Sequence, residues 1–218
     1  MEKVEKILVS DRPSMISFVR DLPNICSLLG LLCAVFGIYF AIEGNFLAAV
    51  IGLLWAVLFD WFDGTIARKM KGRTKEQGAF GAQLDSMIDI VSFGVLPAIL
   101  LLNYGNYSFW LMPGAFIIIA SGVIRLSYFN VYGLIDNKSY LGLSIDSNGL
   151  ILPFLFLFEG FLSHTSFSIL LYLLVLALSV LNLSSIRIPK LSRRWIYMVA
   201  GYVLIMTAVF GWIIFHSD

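Results

Sequence analysis

The chain has 218 residues, 59% of them hydrophobic and 13% charged, with a net charge of +1. A soluble domain is nearer half apolar and a quarter charged, so a water-soluble globular fold is excluded, and the near-zero charge excludes a surface field suited to nucleic acid. The apolar residues come in long blocks with short polar breaks, which predicts an all-α integral membrane protein, a polytopic helical bundle of about seven transmembrane helices.

In chain order, residues 1–22 set Lys3, Lys6, Arg12 and Arg20 among Val4, Ile7, Leu8, Met15, Ile16, Phe18 and Val19. That is the composition either of an amphipathic helix on the membrane surface or of a partly ordered tail. It lacks the apolar core of a cleavable signal, so the first span is expected to direct insertion. Pro23 fits the start of a helix. Spans are predicted at residues 24–43, 46–70, 79–103, 108–132, 148–163, 166–185 and 195–216. The fifth is short and contains Pro153, so a tilted, broken or partly inserted segment is expected there. Cys26 and Cys33 lie two turns apart in the first span and read as small core residues, not as a disulfide.

With the N-terminus in the cytoplasm and alternating spans, the tail and the loops around 70–78, 133–147 and 186–194 share one side. Every Lys and Arg falls in these regions or in the adjoining halves of spans, while the other side carries Glu43 and Glu159 and no Lys or Arg. This is a positive-inside pattern and predicts a multi-pass cell-membrane protein.

The stretch 60–89, DWFDGTIARKMKGRTKEQGAFGAQLDSMID, puts Asp60, Asp63, Asp85 and Asp89 at that cytoplasmic side. Ionisable groups at membrane depth are costly and mark function. Asp60 and Asp63 are neighbours at i,i+3, and Asp85 and Asp89 at i,i+4, with Gly81 one turn before. A hairpin of the second and third spans lets the two pairs face each other. Converging carboxylates suit hard divalent cations, and paired metals clamp phosphoryl oxygens. Gly64, Gly81 and Ala67 keep the same face low, and Arg68 offers a fork for phosphate. A metal-bound phosphate diester fits this face. Two other readings are acids paired with the basic loop simply to hold the hairpin, and an ion or proton pathway; against the second, no comparable acids continue across the membrane.

Asp60-x-x-Asp63-Gly64-x-x-Ala67-Arg68 followed by Gly81-x-x-x-Asp85-x-x-x-Asp89 resembles the signature of the CDP-alcohol phosphotransferases. These are integral membrane enzymes that move a phosphatidyl or similar group from a CDP-linked lipid to an alcohol and release CMP. Pro23-Asn24 looks like the family's start. Three further segments resemble the phosphatidylserine synthase branch: LDSMIDIVSFGVLPA (84–98), Arg125-Leu126 with Phe129-Asn130, and Ser185 to Lys190. The resemblance divides the chain into a segment 1–22, a family core 23–190 and a C-terminal span 191–218. Two features depart from it. The stretch between Arg68 and Gly81 is longer than usual, and Ser144, Asp146 and Asn148 stand where the branch has Gly-(Leu/Met)-Pro and small apolar residues.

The resemblance implies that Asp60, Asp63, Asp85 and Asp89 bind one or two Mg²⁺ or Mn²⁺ ions. It places the CDP nucleotide on Asp60, Asp63, Gly64, Ala67, Arg68 and Gly81, and makes Asp89 the general base for the acceptor hydroxyl. The donor is CDP-diacylglycerol or a related CDP-lipid, and the acceptor is L-serine. Glycerol phosphate, inositol phosphate or an amino alcohol is the alternative within the same chemistry. Arg125, Asn130, Ser144, Asp146 and Asn148 are candidates for acceptor or lipid phosphate, with Arg125 otherwise an arginine snorkelling to the interface. Asn24, Ser86 and Ser92 are polar contacts, or helix caps and interhelical hydrogen bonds, the latter favoured for Ser86 and Ser92. Arg187, Lys190, Arg193 and Arg194 are expected at anionic head groups, and His164 and His216 on the side away from the acids. A homodimer is implied by the family.

Overall fold

The computed structural model describes residues 14–136, 139–189 and 194–216. Most of the predicted amphipathic segment, together with Lys190 and Arg193, lies outside the described residues. The chain forms helices α1 (Met15–Val19), α2 (Leu22–Ile42), α3 (Phe46–Lys69) and α4 (Lys75–Ile90), then a π-helical turn at Val91–Val95. Helices α5 (Leu96–Tyr104), α6 (Met112–Tyr132), α7 (Asp146–Phe156), α8 (His164–Asn182) and α9 (Trp195–His216) follow. Six helical stretches among the described residues are long and apolar enough to cross a membrane: Leu22–Ile42, Phe46–Lys69, Lys75–Tyr104, Phe109–Tyr132, His164–Asn182 and Trp195–His216. The protein is an all-α, multi-pass membrane protein.

Local chemistry sets the boundaries. Asn45 caps α3, its side-chain oxygen accepting from the Ala48 amide at 3.1 Å. Thr74 and Gln77 form a capping box, with bonds of 3.1 and 2.9 Å, and this is why α4 starts at Lys75, ahead of the predicted 79. The predicted fifth span differs most. Helix α7 has 11 residues, about 17 Å at 1.5 Å per residue, against the roughly 30 Å of a bilayer core; a 3₁₀ turn at Glu159–Phe161 follows. Yet the segment joins the two ends of the bundle. Asp146 accepts from Trp61 beside the acids, and Glu159 accepts from Tyr104 at the far end.

Helices α2 and α3 approach most intimately. A Cβ on Gly52 would stand 2.7 Å from the Cys33 carbonyl oxygen and 2.8 Å from Gly37 Cα, so glycine lets the backbones touch. Both cysteines are free. The core is built around Leu53, Leu54, Phe93, Leu96, Ile118 and Phe156. Val199, Val203, Met206 and Phe210 of α9 are buried, and α9 packs on α3. Outward-facing Phe116, Val180 and Ile205 are exposed, as a lipid-facing surface is.

A two-stranded sheet at the acid end has no counterpart in the sequence reading. β1 (Ser139–Leu141) pairs antiparallel with β2 (Arg187–Pro189), Tyr140 opposite Ile188. Gly142 continues from β1 at φ +73°, and a Cβ there would lie 2.4 Å from the Asn182 carbonyl oxygen. Only glycine fits, and it seats the 139–145 loop on the end of α8.

Candidate active site

Helix α3 carries Asp60 and Asp63 and helix α4 carries Asp85 and Asp89, on facing stripes. Carboxylate oxygens of Asp60, Asp85 and Asp89 all lie within 4.8 Å of one another. Asp63 lines the same cavity, and one of its oxygens accepts a short hydrogen bond from the Ser27 hydroxyl. The interior measures about 10 Å³, room for one water-sized body. Anything as large as a nucleotide must therefore lie across the mouth.

The residues fit a hard cation. Three carboxylates converge, and Asp89 Oδ1 is buried with no hydrogen-bond partner among the described residues. Ser92 Oγ, also on the cavity wall, is likewise buried without a partner. The interhelical bond favoured for Ser92 is thus not made. It is made by Ser86, which pairs with Asn130 at 3.1 Å. The π-helical turn begins two residues after Asp89 and carries Ser92 and Phe93; such turns recur at functional sites. It is buttressed from behind. Asn148, fully buried, donates to the Phe93 carbonyl at 3.2 Å and accepts from Asn182 at 3.4 Å.

At the mouth, Arg68 folds back along α3. Its Nη2 donates to Thr65 at 3.2 Å, and its Nη1 would be 3.2 Å from a Cβ on Gly64. Ala67 is half-buried one turn on. Gly81 faces a second cation that sequence reasoning missed. Arg73 pairs with Asp21 at 2.6 Å, donates to Asn24 at 3.4 Å and to the Gln77 carbonyl at 3.3 Å. Its Nη2 would sit 2.6 Å from a Cβ on Gly81. Phe18 stacks on Phe80, ring centroids 4.7 Å apart, so α1 lies against this mouth.

Arg125 and Asp146 also converge here. Arg125 is 7% exposed, and its guanidinium lies 5.3 Å from the Phe129 ring centroid and 5.6 Å from that of Tyr140. Asp146 accepts from Trp61 Nε1 at 2.9 Å, and its charge acts on Asp60, Asp85 and Asp89. Burial first, and the Asp146 carboxylate second, push the Tyr140 phenol above its ordinary pKa, so it remains a neutral hydroxyl. Ser144 is half-buried in the loop leading to α7. His164 stacks on Tyr104 at the far end, His216 bonds the Trp212 carbonyl, and Arg187 and Arg194 are exposed.

Trp61 and Ser27 were legible only in part: Trp61 adjoins Asp60, and Ser27 follows Asn24 at i+3. Nothing in the sequence tied Asp21 to Arg73, 52 residues away.

The family model for CDP-alcohol phosphatidyltransferase matches residues 20–215. Archaetidylserine synthase of Methanothermobacter thermautotrophicus is 37% identical over 175 residues, 80% of this chain and 71% of that protein. The CDP-diacylglycerol–serine O-phosphatidyltransferase of Methanocaldococcus jannaschii is 34% identical over 146 residues, 66% of each chain. The enzyme of that name from Bacillus subtilis is 29% identical over 178 residues, 79% of this chain and 92% of that one.

Proposed function

The chain belongs to the CDP-alcohol phosphatidyltransferase family, and on that footing we propose that it transfers a phosphatidyl group, or the corresponding archaetidyl group, from a CDP-linked lipid to the hydroxyl of L-serine. The observation that carries the reading is the meeting of the Asp60, Asp85 and Asp89 carboxylates within 4.8 Å. The names of the similar proteins supply serine as acceptor. Membership of an enzyme family decides against an ion pathway.

Asp60, Asp85 and Asp89 would hold Mg²⁺ or Mn²⁺, with Asp63 oriented beside them by Ser27. A divalent ion bound there would neutralise the donor's pyrophosphate and stabilise CMP as it leaves. Asp89 is the general base. It takes the proton from the serine hydroxyl as that oxygen bonds to the β-phosphorus and the bond from this phosphorus to the CMP oxygen breaks. Gly64 and Ala67 let the nucleotide lie against α3, Arg68 unfolds from Thr65 to a phosphate, and Gly81, whose face Arg73 and Asn24 fill, brings the Arg73 guanidinium to the nucleotide from the α4 side. The Lys and Arg distribution supports a cytoplasmic site, where water-soluble serine meets a lipid entering sideways between helices.

Purified protein supplied with CDP-diacylglycerol, Mn²⁺ and labelled serine is expected to release CMP and form labelled lipid. Glycerol phosphate and inositol phosphate serve as competing acceptors. CMP release that ignores serine and follows another alcohol would overturn the acceptor.

A further inference from the structure

Beyond the four motif aspartates, the acid end holds two opposite charges that do not neutralise each other. Asp146 heads α7. Trp61 occupies its Oδ2 at 2.9 Å, while its Oδ1 is buried with no hydrogen-bond partner among the described residues. Arg125 is buried between α6 and the loop strand, flanked by the rings of Phe129 and Tyr140. The one ion pair among the described residues is Arg73–Asp21, so Arg125 and Asp146 are not joined. Even so, Asp146 is the acid whose charge acts most on Arg125. Leaving a buried charge uncompensated is expensive. Fixing one charge with aromatic faces and the other with an indole N–H keeps them from collapsing onto each other. Such an arrangement suits a guest that carries both charges.

We infer that Arg125 and Asp146 form a zwitterion clamp, the guanidinium taking the α-carboxylate of the serine acceptor and Asp146 Oδ1 taking its α-ammonium. The inference rests on the serine reading above and gives it a physical basis. A guanidinium presents a fork matched to a carboxylate. Trp61 leaves one Asp146 oxygen for an ammonium N–H. Both clamp charges act on Asp89, so a serine held between them has its hydroxyl beside the proposed base. The clamp also selects. Ethanolamine lacks the group for Arg125 and hydroxypropanoate the group for Asp146. An acceptor phosphate brings negative charge towards Asp146, an unfavourable juxtaposition that works against the wrong partner.

The test compares L-serine, ethanolamine and hydroxypropanoate as acceptors for the unmodified protein with CDP-diacylglycerol and Mn²⁺. Each analogue is expected to lose about tenfold or more in kcat/KM, one charge-assisted hydrogen bond. Asp146→Asn is expected to cut the preference for serine over hydroxypropanoate about tenfold, chiefly through KM, with CDP binding showing that the variant is folded. If the unmodified protein used either analogue as well as serine, the clamp would fall while the proposed function stood. An unchanged serine-to-hydroxypropanoate ratio in an active Asp146→Asn protein would have the same meaning. If no serine-dependent CMP release occurred at all, the proposed function would fall and the clamp with it.

Discussion

At the far end of the bundle, polar groups find one another. Tyr104 donates to Glu159 at 3.2 Å and stacks on His164 with ring planes 11° apart. Asn103 donates to the carbonyls of Ala41 and Ile42 at the end of α2. At the acid end, Asp89 Oδ1, Ser92 Oγ and Asp146 Oδ1 are buried without hydrogen-bond partners among the described residues, and Arg125 is buried with no ion-pair contact among them. Both ends are polar within an apolar bundle. One closes its own bonds and so stabilises the fold; the other keeps its bonding capacity for a guest, at a cost to stability. Asn182 Oδ1, behind the π-helical turn, and Thr207 Oγ1, midway along α9, are also buried without a partner among the described residues, so it is the gathering of such atoms around the acids that distinguishes the site.

Asp60→Ala, Asp85→Ala or Asp89→Asn should do the most damage, lowering CMP release by about a hundredfold to a thousandfold while the protein still inserts and purifies. Full turnover in any one of them would dissolve the acid end as a functional unit. Ser27→Ala comes next. It frees Asp63 without removing a carboxylate, and loss of such an outer partner costs about tenfold to a hundredfold in metal affinity or activity. The expected signature is a higher Mn²⁺ concentration at half-maximal rate, with the rate recovering as Mn²⁺ is raised. A uniform fall in rate at all Mn²⁺ concentrations would mean that Ser27 serves only the packing of α2. The smallest effect belongs to Tyr104→Phe, which removes one far-end hydrogen bond worth about 1 kcal/mol. Thermal unfolding in detergent should fall slightly, with CMP release unchanged. A catalytic defect in Tyr104→Phe as large as that of Ser27→Ala would abolish the contrast between the ends.

The bundle and the acid face were legible because both depend on local periodicity. Apolar blocks of about 20 residues announce spans, and spacings of three and four place Asp60 with Asp63 and Asp85 with Asp89. What was not legible depends on contacts between distant segments. Ser27 reaches Asp63 across 36 positions, and Arg73 reaches Asp21 across 52. The pairing of β1 with β2 joins two loops that look merely polar in sequence. The segment 148–163 read as a short fifth span, tilted, broken or partly inserted, because its hydropathy says nothing of where a helix ends. Asp146 and Asn148 were noticed as departures from a pattern, but only the fold separates them: one lies at the mouth, and the other lies behind the π-helical turn, bonded to Phe93.

That turn has a consequence for how the third span can change. An α-helix advances about 100° per residue, and a π turn absorbs one residue more than an α turn does. The acids of α4 and the core-facing Leu96 and Leu100 of α5 are therefore set out of phase by Val91–Val95. Were the same residues wound as a plain α-helix, Asp85 and Asp89 would rotate away from Asp60 by about a quarter of a revolution, whereas deleting one residue from the turn would relax it to an α turn and leave both flanks in phase. The wide turn lets one span carry acids and core leucines whose spacing no regular helix would align, and the extra residue in those five positions is the gauge.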